Sequence, residues 1–111
     1  MDFGQNLQQD ILTLTPGRKF TASDGCEAVS RAVEAALAEG VRKVLFDLSA
    51  VEFLDSLGVG QIVASHVAVR NRGGELVLCR PSARVSLVLR MANLHMVLDI
   101  RDVAPEAVVW A

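Results

Sequence analysis

The stretch Phe53-Leu54-Asp55-Ser56-Leu57-Gly58-Val59-Gly60 sets a carboxylate beside a hydroxyl at the point where a loop gives way to a helix. Two kinds of chemistry suit that placement. The first turn of a helix has unpaired N–H groups and about half a positive charge, so a hydroxyl there can carry a phosphate that would be damaging elsewhere in a fold. A phosphate on Ser56 adds roughly −1.5 to −2 charges next to Asp55 and changes the surface a partner meets while the backbone stays in place. The plainer reading is capping, the ordinary reason for Asp and Ser at a helix start. Gly58 and Gly60 let a partner's backbone come close, and tight packing against a sheet accounts for them equally well.

The remaining reactive side chains point less sharply. Asp47 falls late in an apolar strand, where an unpaired carboxylate is costly, so it is expected to accept hydrogen bonds from amides or hydroxyls near Ser49. His66 lies on a helical apolar face and His95 follows a helix end, and neither has ligand spacing to a cysteine or carboxylate. No metal or cofactor is expected. Ser56, His66 and Asp47 could be assembled into a hydrolytic set, but no Gly-x-Ser-x-Gly elbow is present and the chain is too short for a substrate domain. Gly58, Gly60, Gly73 and Gly74 form neither a dinucleotide fingerprint nor a Walker loop. The chain reads as a non-enzyme.

The elements that must hold Ser56 follow from periodicity. Ile11, Leu12 and Leu14 alternate with Thr13 and Thr15 before Pro16-Gly17, which predicts a strand and a turn, and this first strand is open to antiparallel pairing. Asp24 and Glu27 have capping-box spacing, and Val29, Ala32, Val33, Ala36 and Leu37 make a helical stripe that Gly40 ends. The near-continuous apolar run from Val41 to Leu48 predicts a central strand covered on both faces. Ser49 to Asp55 reads as a loop. Helix follows from Ser56 to about Arg72, with Val59, Ile62, Val63, His66 and Val67 as its apolar face, and Gly73-Gly74 stops it. Glu75 to Cys79 is a further strand, and Pro81-Ser82 opens a third helix that Asn93 closes in a left-handed conformation. Met96 to Ile100 is a last strand, and Asp102 with Pro105 predicts a short fourth helix ending in Val109 and Trp110.

Strands alternating with helices over short connections imply an α/β fold, a mixed but mostly parallel sheet with about four helices. With 111 residues, 51% hydrophobic and 22% charged, one domain over residues 1–111 is expected. The formal charge of −2 and scattered basic residues argue against direct nucleic-acid binding. No apolar run is long enough to span a bilayer and the polar start lacks a signal-peptide pattern, which favours a cytoplasmic protein without membrane insertion. Cys26 and Cys79 read as buried thiols.

The loop Phe53 to Gly60 resembles the signature loop of STAS domains, the family of the anti-sigma factor antagonists. Lys43 to Ser49, with Asp47, resembles the family's preceding strand, and Gly73 to Cys79 its next one. Val85, Leu89, Leu94 and Ile100 continue the family's spacing. The resemblance implies that an anti-sigma factor with serine kinase activity phosphorylates Ser56. It further implies that the unphosphorylated form binds this partner and frees a sigma factor, and that a phosphatase resets the cycle. Asp55, Leu57, Gly58 and Val59 are implied to take part in partner recognition.

The sequence departs from the family at three places. Leu57 stands where many antagonists carry a second serine, Phe20 stands near an expected acidic residue, and the family's last helix is short or missing. These departures keep alternatives open: a docking subunit of a stressosome or of a lipid-transport ATPase complex, or a ligand-sensing domain with a cavity. Apolar Leu57, Val109 and Trp110 leave room for a homodimer.

Overall fold

Alternating side chains on short apolar segments build the sheet, and helical stripes cover one of its faces. The computed structural model describes residues 3–111. In chain order the elements are β1 (Phe3–Gln8), β2 (Ile11–Pro16), β3 (Lys19–Phe20), α1 (Glu27–Ala38), β4 (Lys43–Asp47), β5 (Phe53–Leu54), α2 (Ser56–Asn71), β6 (Glu75–Cys79), α3 (Ala83–Met91) and β7 (Asp99–Arg101). Five strands form one sheet in the order β1-β2-β4-β6-β7, with β1 antiparallel to β2 and every other pair parallel. Strand β4 is central, as its apolar run requires. The antiparallel pairing left open for Ile11 to Thr15 is made with β1, a segment read as merely polar, while toward β4 the same strand runs parallel.

Along β2, β4 and β6 one set of side chains, Leu12, Leu14, Val44, Phe46, Leu76 and Leu78, joins Val29, Val33 and Leu37 of α1, Ile62 and Val69 of α2, and Val85 and Leu89 of α3 in the main core. The alternate set, Leu45, Val77 and Cys79, faces the other way, and the partly buried apolar side chains packed on it among the described residues are Val108 and Trp110. Trp110 also receives the Lys43 ammonium 5.9 Å from its ring centroid. Both cysteines are buried free thiols. No helix among the described residues is long and apolar enough to cross a membrane.

Four expectations are corrected. The fold has three α-helices among the described residues, not about four: Pro105–Ala107 forms one 3₁₀ turn, and the chain then runs extended. Pro105 supports a first helical position, but Val108 and Trp110, both half-buried, alternate toward the sheet, and packing both against it requires an extended backbone. The Asp24–Glu27 capping box does not form: α1 starts at Glu27 without a side-chain cap, and Asp24 closes a 3₁₀ turn, Ala22–Asp24, by accepting from Thr21 Oγ1 at 2.8 Å. Met96 to Ile100 is not one strand, since Leu94–Met96 is a 3₁₀ turn and β7 starts at Asp99. The inner face of α2 is Gly58, Ile62, Ser65 and Val69, rotated from the expected stripe. Ser82, by contrast, caps α3 by accepting from Val85 N–H at 3.2 Å, and Asn93 is left-handed at φ 58°.

Candidate functional site

Two short strands set the entry into α2. Strands β3 and β5 pair in parallel, Lys19 with Phe53 and Phe20 with Leu54, as a separate two-stranded sheet. The Arg18 carbonyl accepts from the N–H groups of Glu52 at 2.8 Å and Phe53 at 3.0 Å, and the Arg18 guanidinium is paired with the Glu52 carboxylate. Phe53, 40% exposed, has two guanidinium groups over its ring, Arg18 at 5.3 Å and Arg84 at 5.7 Å from the centroid. Both distances fall within the range of a cation–π contact.

Asp55 then caps α2. Its Oδ1 accepts from Gly58 N–H at 2.8 Å, and its Oδ2 accepts from Ala22 N–H at 2.9 Å. These donors, Ala22 first and Gly58 second, hold the carboxyl below its ordinary pKa. The folded value lies below the unfolded one. The associated stability is therefore present above the usual carboxylate range, near pH 4, and is lost as pH falls through the folded value.

The four residues grouped with Ser56 separate into three kinds. Ser56, the first residue of α2, is exposed, and so is Leu57 at 46%, while Val59 and Asp55 are half-buried. Gly58 is buried, and a Cβ built on it would lie 2.2 Å from the Phe20 carbonyl oxygen. Its missing side chain therefore serves the approach of β3. Gly60 faces open space, with nothing within 4 Å of such a Cβ. Packing thus accounts for one glycine and leaves the other free.

A helix-start serine, a capping aspartate and a helix pressed onto β3 form a local arrangement whose family assignment rests on the whole chain. The model of the STAS domain matches residues 10–107. The chain belongs to the STAS family. It is similar to a Thermotoga neapolitana protein named as a candidate anti-sigma factor antagonist homologue, with 30% identity over 105 residues, 95% of this chain and 93% of that one. It is also similar to the crystal structure of a candidate anti-sigma factor antagonist from Thermotoga maritima, at 28% identity and TM-score 0.82, covering 95% of this chain and 90% of that one. The Bacillus cell fate determinant SpoIIAA, solved in its phosphorylated form, shares the fold at TM-score 0.76 and 16% identity, over 95% of this chain and 94% of that one.

Within this STAS fold the other candidate residues have partners of their own or none, and among the described residues none of them hydrogen-bonds to Ser56. Asp47, 7% exposed, accepts from Ser49 N–H at 3.1 Å, as expected, and also from Arg80 Nε at 3.2 Å and Nη2 at 3.0 Å. Burial pushes its pKa up, but the Arg80 fork and Ser49 outweigh it and hold the carboxyl low. Arg80 adopts a left-handed backbone at φ 40°. His66 is half-buried with its Nδ1 unpartnered among the described residues, and burial followed by the nearby Arg70 charge lowers its pKa. His95 is exposed. Among the described residues no group of three or more His, Cys, Asp or Glu could hold a metal ion. Sequence reasoning missed Arg80 and Ala22: one is a single cation after a strand, and the other contributes only a backbone amide.

Proposed function

We propose that this STAS domain is an anti-sigma factor antagonist switched by phosphorylation of Ser56. Unphosphorylated, it binds an anti-sigma factor that has serine kinase activity and so frees a sigma factor; the phosphorylated form lets go, and a phosphatase restores it. The domain acts by binding and not by catalysis of its own. The observation that carries the reading is the exposed Ser56 at the first position of α2, with the helix amides and dipole at hand to accept a phosphate. The names of the relatives support the same partner class. Ser56 and exposed Leu57 meet the partner directly, Val59 and Asp55 edge that contact, and Gly58 shapes it by setting α2 against β3.

Incubation with the cognate kinase and ATP is expected to add one phosphate at Ser56, and mass spectrometry of Ser56→Ala is expected to find none. Phosphate retained in Ser56→Ala would remove the assignment. Charge set against a desolvated partner surface costs several kcal/mol, so phosphorylation is expected to weaken partner binding by about tenfold or more in calorimetry. Leu57→Asp is expected to weaken it too while leaving the urea midpoint unchanged, because Leu57 is already half in solvent.

The exposed apolar Leu57 and Phe53 favour one second reading, a STAS docking subunit of a stressosome or transport ATPase complex that works without a phosphate cycle. Affinity capture from the native cell separates the two. Recovery of a kinase-type anti-sigma factor supports the switch, and recovery of a scaffold or transport ATPase supports docking alone.

A further inference from the structure

The Asp55 carboxylate joins two stretches of chain that are 33 residues apart. Its Oδ1 closes the first turn of α2 on Gly58 N–H, and its Oδ2 fastens the Ala22 N–H, the first residue of the turn Ala22–Asp24. That turn is a small unit of its own. The Thr21 carbonyl accepts from Asp24 N–H and Cys26 N–H, both at 3.2 Å, and Thr21 Oγ1 donates to Asp24 Oδ2 at 2.8 Å. Ala22 and Ser23 are exposed, so the turn and the Ser56–Leu57 corner form neighbouring parts of one surface held together by Asp55.

A phosphate on Ser56 competes with that carboxylate in two ways. It places a second and larger negative charge on the adjacent residue. It also brings three acceptor oxygens to the first-turn amides of α2, among them the Gly58 N–H on which Asp55 depends. The Val59 N–H is not in contention, because it already donates to the Asp55 carbonyl at 2.9 Å. Between a monoanion and a near-dianion at a helix start, the phosphate is the stronger claimant, and the carboxylate swings away. Ala22 N–H then turns to water, which costs little at an exposed residue.

From this competition we infer that phosphorylation of Ser56 acts at two places: at the hydroxyl it occupies and, through Asp55, at the turn Ala22–Asp24, which it releases from α2. The inference rests on Ser56 being the modified residue. A partner then recognises Ser56 and Leu57 together with Ala22 and Ser23, and this composite surface is intact only without the phosphate. The fold itself is not opened, because Phe20 stays in the core and β3 stays paired with β5.

The test uses phosphoserine genetically encoded at position 56, which needs no kinase, and amide hydrogen exchange read by NMR. Exchange at Ala22 is expected to quicken by about tenfold or more, the loss of one hydrogen bond to a charged acceptor, while Val77 in the sheet is unchanged. In an Asp55→Ala background Ala22 is expected to exchange fast already, with no further gain from the phosphate. Equal Ala22 rates with and without phosphoserine, a further gain in the Asp55→Ala background, or a matching rise at Val77 would each overturn the relay. Because the phosphoserine is introduced during translation and no kinase is used, these outcomes are distinct from failure of the kinase assay, which bears only on whether Ser56 is the natural acceptor.

Discussion

Gly58→Ala is expected to destabilise the domain by about 3 kcal/mol, while Gly60→Ala, two residues along the same helix, is expected to stabilise it by about 0.5–1 kcal/mol. The sequence offers no reason to treat them differently, and the structure does. A Cβ on Gly58 would lie 2.2 Å from the Phe20 carbonyl oxygen, 3.2 Å from its carbonyl carbon and 2.9 Å from Leu54 Cδ1. Leu54 can rotate; the Phe20 backbone cannot, since its side chain is fully buried and β3 is paired with β5. The first turn of α2 must therefore lift from β3, carrying Asp55 and Ser56 with it. At Gly60 an added methyl meets open space, and alanine removes the conformational entropy that glycine gives the unfolded chain. Urea unfolding of both variants checks the pair. A Gly58→Ala midpoint equal to wild type would show that α2 has slack at its start, and the account of Gly58 as a packing residue would fail.

What the sequence made legible was whatever depends on burial along a regular period. Strand β4 could be read because both its faces are covered, and α1 because Val29, Val33 and Leu37 recur on one side. Strand β1 escaped notice because it is an edge strand: only Phe3 packs against the core, and its polar residues are held by hydrogen bonds to β2. Strands β3 and β5, at two residues each, are too short to show any period. The inner face of α2 was misplaced because close packing there uses Gly58 and Ser65, residues a hydrophobic pattern passes over. At the site, the pairing of Asp55 with a helix start was visible in residue types. Its second partner was not, because a backbone N–H carries no sequence signature and the Ala22 amide comes near only through the β3–β5 pairing.

Arg80→Met is expected to change how stability varies with pH as well as its level. In the wild type, Asp47 is pushed up by burial and brought below its ordinary pKa by the Arg80 fork and the Ser49 amide. A depressed folded value means that its contribution is full above the unfolded carboxyl range, near pH 4, and disappears as acid titrates the folded group. Without the fork, Asp47 keeps only what Ser49 offers, its amide and its hydroxyl, against burial, the largest single influence on it, and its folded pKa is expected to rise above the unfolded one. The sign then reverses: the ionised group opposes folding at neutral pH, and protonation relieves it. Leaving this carboxylate short of two donors costs about 1–2 kcal/mol at pH 7, kept small because water reaches the Arg80 side of the pair. The deficit is expected to narrow as pH falls, because the variant's Asp47 takes up its proton first and the wild type then loses the contribution of its own as acid reaches the lowered folded group. Methionine keeps the backbone penalty at φ 40° that arginine already carries, so the comparison isolates the side chain, whereas glycine would relieve that strain and confuse it. Urea unfolding from pH 3 to 8 reads the effect, and parallel curves would contradict it. Partner binding at neutral pH is expected to survive, because the loop from Asp47 to Ser56 has anchors that do not use the pair: Leu48 and Val51 are buried, and Leu48 N–H donates to the Cys79 carbonyl at 3.0 Å.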